Sequence, residues 1–226
     1  NYNVVVGDEA GTAITTGDNN VAIGYAALDA NTTGTANTAV GGSALGANVS
    51  GASNTAVGYN SMAVNTAANN SAFGRSSLLV NTSGTANTAI GTDTLVANTT
   101  ASNNTAVGFS ALNANTTGAR NTGIGDTALA ANTTGDNNVA VGRGTLDANT
   151  TADANTAVGQ ATLGANTTGA SNTAVGRAAL LANTTGTENV AVGALALDAN
   201  TTASYNTAVG FDTLSANVLG SRNVAI

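Results

Sequence analysis

The chain of 226 residues contains no Cys, His, Pro, Trp or Lys, and its aromatic residues amount to four Tyr and three Phe. Without His or Cys there is no Ser–His pair, no thiolate nucleophile, and none of the usual zinc or haem sites. The chain is therefore read as a non-enzyme that holds no cofactor and no metal. With no Cys, the redox compartment cannot be read from disulfides. Charge is scarce as well: 8% of residues are charged, against about 25% in ordinary domains, and the net charge is −7. Five scattered Arg do not make the basic face that nucleic acid requires. Low charge also sets the chain apart from ordinary disorder. No apolar run approaches the ~20 residues of a membrane-spanning helix. Neither an initiator Met nor a signal peptide opens the sequence, so a processed chain or a fragment is expected.

What the sequence does have is a repeat. Glycines of an Asn-Thr-Ala-Val-Gly motif stand at 7, 24, 41, 58 and 74, and then every 17 residues to 210. Only the interval from 58 to 74 is 16. The unit reads N-T-A-V-G-x-x-A-L-x-A-N-T-T-G-x-x, as from Asn104 onward, and its residues are numbered one to seventeen below. Repeats of this length indicate a stacked architecture. The whole chain, 1–226, is read as a single repeat array with units over 3–222, while 223–226 open a further coil. Neither end carries a polar cap, so a segment of a longer fibre is expected. The short unit is read as having lost a residue near Ala68 and Asn69, in a surface turn.

The period sets the expected elements. Apolar or β-branched residues at positions two and four, followed by Gly, predict a short strand. Leu, Ala and Thr at positions nine, eleven and thirteen alternate again and predict a second strand, a single helical turn over Ser110–Ala114 being the alternative. No Asn-Gly pair occurs, which argues against tight hairpins. Each unit is thus expected to form one coil of an all-β, parallel β-solenoid (β-roll) of about 13 coils. Stacking would align Asn37, Asn104 and Asn172 in one ladder and Asn115 with its equivalents in another, amide on amide. Glycines at positions five and fifteen, such as Gly24, Gly108, Gly142 and Gly176 at five, suit turns with positive φ. Position three is Ala in almost every unit, so close packing is expected on that face, by another chain of a homo-oligomer.

The stretches Asn20-Val21-Ala22-Ile23-Gly24 and Asn138-Val139-Ala140-Val141-Gly142, followed by Ala or Thr, Leu and Ala, resemble the head repeats of YadA-like trimeric autotransporter adhesins. Those have the form N-S-V-A-I-G-x-x-A-x-A-x-G. The present unit is longer, inserting Asn-Thr-Thr before its second Gly, and in this it is similar to repeats of phage-tail-fibre-like proteins and large bacterial surface proteins. The resemblance implies a left-handed, homotrimeric roll.

Other motifs have plainer explanations. Gly123-Ile124-Gly125-Asp126-Thr127-Ala128 fits a dinucleotide fingerprint, but the repeat accounts for it and no βαβ pattern surrounds it. Eight Asn-Thr-Thr triplets, including Asn31, Asn98 and Asn200, are formal glycosylation sequons, with a turn ladder as the favoured reading. Asp29, Asp147 and Asp198 share position ten but are too far apart in the stack to form a carboxylate pair. Tyr25, Tyr59, Phe109, Arg143, Arg177 and Phe211 share position six and form a candidate outer contact stripe, with a freely varying edge as the plainer reading. The leading expectation is a structural shaft or stalk of an extracellular fibre or adhesin, on a cell or virion surface. It would present a binding tip for a host-surface or glycan receptor through regions outside this sequence. The alternative is an ice-binding solenoid, using the column from Thr33 and Thr100 to Thr202, although the usual paired Thr-x-Thr rank is missing.

Overall fold

The structure, a computed structural model, describes residues Tyr2–Ile226. The chain is all-β and folds as a parallel β-solenoid with one three-residue strand per coil. It forms two compact units, the first ending at Thr117 and the second starting at Gly118. The first holds β1 (Val4–Val6), β2 (Val21–Ile23), β3 (Thr38–Val40), β4 (Thr55–Val57), β5 (Ser71–Phe73), β6 (Thr88–Ile90) and β7 (Thr105–Val107). The second holds β8 (Thr122–Ile124), β9 (Val139–Val141), β10 (Thr156–Val158), β11 (Thr173–Val175), β12 (Val190–Val192), β13 (Thr207–Val209) and β14 (Val224–Ala225). Within each unit consecutive strands pair in parallel, equivalent residue on equivalent residue, as Thr38 on Thr55 and Thr156 on Thr173. Register survives the short coil, where Thr55 faces Ser71.

The expected second strand is absent, and so is the alternative helical turn. Positions six to eleven are a run of turns closed by two bonds within the coil: Ala27 N–H donates to Gly24 O at 3.3 Å, and Asn31 N–H to Leu28 O at 3.2 Å. The ladder between coils nevertheless continues through the turns. Leu28 N–H donates to Ala44 O at 3.0 Å and Ala30 N–H to Gly46 O at 3.2 Å, both toward the following coil. Position seven bonds the other way, Ser43 N–H donating to Tyr25 O at 2.9 Å in the preceding coil.

That reversal is made by left-handed backbone at residues with side chains. Ala26 and Leu28 both have φ near 51°, and Asn19, at position seventeen, has φ 58°. The same three positions are left-handed in coil after coil, and Leu163 (φ 52°) shows it in the second unit. A non-glycine residue there costs about 1–2 kcal/mol, so hydrogen bonding to neighbouring coils must hold it in place. Glycine is required at position five, where Gly24 has φ 130° and a Cβ would stand 2.7 Å from Gly41 O. Gly108, Gly142 and Gly176 have the same conformation, with φ between 129° and 136°. Position fifteen does not follow the expectation: its φ is not positive, and Ala101, Ala152 and Ala203 replace glycine there.

The core also differs from the expectation. Position-three alanines such as Ala39 and Ala157 are fully buried, as are Leu45 and Leu163 at position nine. Position-four residues point outward instead: Ile23, Val158 and Val175 are 37–38% exposed. The Ala column is thus the inner wall of the coil and offers no surface to another chain.

Candidate interaction surfaces

Two asparagine columns form the polar half of the interior. Asn37, Asn104, Asn115 and Asn172 are all fully buried. At position one the backbone N–H of Asn37 donates to Asn20 Oδ1 at 3.0 Å, that of Asn104 to Asn87 Oδ1 at 3.0 Å, and that of Asn172 to Asn155 Oδ1 at 2.9 Å. At position twelve the bond runs between side chains, Asn115 Nδ2 donating to Asn98 Oδ1 at 3.1 Å. Both columns converge on the position-fifteen carbonyl. Gly34 O accepts from Asn20 Nδ2 at 2.9 Å and from Asn31 Nδ2 at 3.1 Å. Burying so many amides is tolerable because nearly every donor and acceptor is matched.

The same geometry settles the sequons. Asn31, Asn98 and Asn200 are fully buried, and their Nδ2 atoms already donate within the columns. A glycan on that nitrogen would require the coil to open.

The short coil shows where the missing residue belongs. Ala67 O accepts from Asn54 Nδ2 at 2.8 Å and from Asn65 Nδ2 at 2.9 Å, which is the position-fifteen role. The deletion therefore falls at position fourteen, between Thr66 and Ala67, one step before the stretch suggested by the sequence.

Three surfaces remain for partners. The first is the outer face of the strands, with Thr or Val at position two and Val, Ile or Phe at position four. Ile23, Phe73 and Ile90 in the first unit and Ile124, Val158, Val175, Val192 and Val209 in the second are each 37–41% exposed. The second is position six, where Tyr25, Tyr59, Phe109 and Phe211 are 56–74% exposed, and Arg143 and Arg177 are exposed too. Its aromatics do not touch along the stack, since Gly42 separates Tyr25 from Tyr59 and other non-aromatic residues follow. A hydrogen bond with Glu9 pushes the Tyr25 hydroxyl above the usual tyrosine range. The third is the bend at positions thirteen and fourteen. Thr150 and Thr167 donate their hydroxyls to the next coil's carbonyl at 3.2 and 3.1 Å. Their neighbours Thr134, Thr151, Thr168, Thr185 and Thr202 are exposed in five successive coils.

Ionic and cofactor chemistry has little to build on. Among the described residues one ion pair occurs, Arg75 to Asp93 at 2.6 Å, and no three acidic side chains converge. Gly123 of the fingerprint-like motif lies inside β8, and the turn after it opens no helix to hold a phosphate. No helix among the described residues is long and apolar enough to cross a membrane. Comparison with protein-family models, with curated proteins and with solved structures finds no significant match to this chain.

Proposed function

We propose that this chain is a shaft segment of an extracellular fibre, in which solenoids associate side by side as a homotrimer through the outer faces of their strands. One observation carries the reading: the half-exposed Val, Ile and Phe column at position four. A continuous apolar face on a monomer marks an interaction surface. Covering the exposed part of one such side chain contributes roughly 0.5–1 kcal/mol per coil, and the repeat multiplies that gain along the stack. The likeness of the Asn-Val-Ala-Ile-Gly stretch to adhesin head repeats supports the same assembly. The shaft acts mechanically, through ladders that bond each coil to its neighbours with no Pro to interrupt them. Light scattering with sedimentation tests it. A species near three times 21.6 kDa is expected, and a folded monomer overturns the reading.

One observation favours ice binding as a second reading. The exposed threonine column from Thr134 to Thr202 is unbroken, and hydroxyl bonds fix the threonines beside it. Thermal hysteresis by the folded chain would support that reading, and its absence would remove it.

A further inference from the structure

We propose that a notch on the side of the second unit, lined by Arg143, Asp147 and Gln160, binds a neutral carbohydrate. The notch is open to solvent with a volume of about 440 Å3, and Thr127 and Leu181 also line it. It exists because side chains are missing at two places. Position ten carries Asp147, Gly164 and Leu181 in three successive coils. A Cβ on Gly164 would stand 3.6 Å from Asp147 Oδ1 and 3.4 Å from Leu181 Cδ1, so its absence leaves a gap between carboxylate and leucine. Gly144 widens the same gap at position seven, where a Cβ would lie 3.9 Å from Asp147 Oδ2.

The groups around the gap select the ligand class. Asp147 is half-buried, its carboxylate beside the gap that Gly164 leaves, and the Ala148 N–H next to it donates to Gly164 O at 3.3 Å in the ladder between coils. Arg143 and Gln160 stand at the mouth as donors, and Gln160 and Thr127 can also accept. Arg143 and Asp147 do not pair with each other, the ion pair among the described residues being Arg75–Asp93. Their charges cancel, so an ion of either sign meets repulsion along with attraction. An uncharged polyol meets neither: its hydroxyls donate to the carboxylate and accept from guanidinium and amide. Ala161, Ala165 and Leu181 supply an apolar patch for its C–H face. The volume falls in the range of small-molecule sites, about 300–1,000 Å3.

The first unit provides an internal contrast. Asp29 and Gly46 repeat the carboxylate-beside-glycine step, a Cβ on Gly46 lying 3.4 Å from Asp29 Oδ1. There Tyr25 and Gly42 occupy the places of Arg143 and Gln160, so the guanidinium and the amide are absent, and the Tyr25 hydroxyl is engaged with Glu9. The notch uses positions six, seven, ten and eleven and leaves the strand face free, so it stands apart from the shaft assembly.

Saturation-transfer NMR of the full chain with glucose, galactose, mannose and N-acetylglucosamine tests the site. Transfer to at least one sugar is expected in the wild type. It should vanish in Gly164→Leu, a residue the stack already accepts at this position as Leu79 and Leu181. Asp147→Asn should weaken binding about tenfold, the loss of one charge-assisted hydrogen bond, and it decides the matter if Gly164→Leu loses its fold. No transfer from any of the four sugars, or transfer unchanged in a folded variant, overturns the proposal.

Discussion

Asn48 Oδ1 is buried without a hydrogen-bond donor: Asn65, the next side chain in its column, donates to Ala67 O at 2.9 Å but not to Asn48, whereas Asn48 itself serves both Gly51 O and Asn31 Oδ1, each at 3.0 Å. On either side the column is intact: Asn48 Nδ2 reaches Asn31 Oδ1 at 3.0 Å, and Asn81 Nδ2 reaches Asn65 Oδ1 at 2.6 Å. The deleted residue between Thr66 and Ala67 is thus felt one coil earlier as an orphaned acceptor. A buried unmatched carbonyl costs about 1–3 kcal/mol. Inserting a threonine between Thr66 and Ala67 should recover that amount in chemical denaturation. Amide exchange around Asn48 should slow as well, and an unchanged midpoint would show that the orphan carries no cost.

Replacing an amide by a carboxylate tests the columns directly. Asn166 Nδ2 donates to Asn149 Oδ1 at 3.1 Å and to Gly169 O at 2.9 Å, and its own Oδ1 accepts from Asn183 at 2.9 Å. Asn166→Asp removes both donors and sets a charge against two acceptors, so a loss of about 3–5 kcal/mol is expected at neutral pH. Thermal unfolding followed by circular dichroism would measure it.

Left-handed positions invite a substitution that usually harms β-structure. Ala154 is exposed at φ 58°, with its N–H bonded to Asp136 O at 3.0 Å. Glycine there relieves about 1–2 kcal/mol of backbone strain and costs about 0.5–1 kcal/mol of unfolded-state entropy. Ala154→Gly should therefore stabilise, by up to about 1.5 kcal/mol. Leu163→Ala, at the same kind of backbone but fully buried, should destabilise by about 2–5 kcal/mol. Denaturant midpoints of the two variants should move in opposite directions.

The strand face can be tested without touching the interior. Val175 is 37% exposed on β11, so a long charged side chain can reach water in a single chain but not between chains. Val175→Lys should leave the circular dichroism spectrum unchanged and convert the assembly to monomer in sedimentation. An assembly of unaltered mass would place the contact elsewhere.

Burial pushes the Asp147 carboxyl above the usual aspartate range. The folded chain therefore holds this proton more tightly than the unfolded chain does. Ionised Asp147 opposes folding at neutral pH, and the opposition fades as pH falls through its raised folded-state pKa. Asp147→Asn should be more stable than the wild type at neutral pH. That advantage should shrink toward zero near about pH 3, below the ordinary carboxylate range. An advantage that does not change with pH would assign it to packing.

The repeat period made much of this fold legible. The strand at positions two to four, the glycine at five and the two asparagine columns all follow from identical residues recurring at one interval. Two other features were hidden. Alternation at positions nine, eleven and thirteen reads as a strand, yet Ala27 and Leu28 are both fully buried. A strand cannot turn consecutive side chains inward, whereas the left-handed backbone at Leu28 does. Nothing in a leucine announces that conformation, since local preference runs against it and the neighbouring coils supply the compensation. Hydrophobicity likewise assigns Val to the inside and Ala to a contact face. The small Ala39 and Ala157 are fully buried, while the larger residues one place on, such as Val158, are turned out. Size overrules apolarity in a coil this narrow.

Within each unit a coil bonds to the coil before it and the coil after it, and the bonds along the Asn columns run from the later coil to the earlier, as from Asn48 to Asn31 and from Asn166 to Asn149. A gene encoding such a chain can gain or lose whole repeats by in-frame slippage without creating a single new kind of contact. Slippage out of phase is recorded at once as a fault, as at Asn48. Length thereby becomes a trait that selection can adjust in fixed increments, while the chemistry of every increment stays as it was.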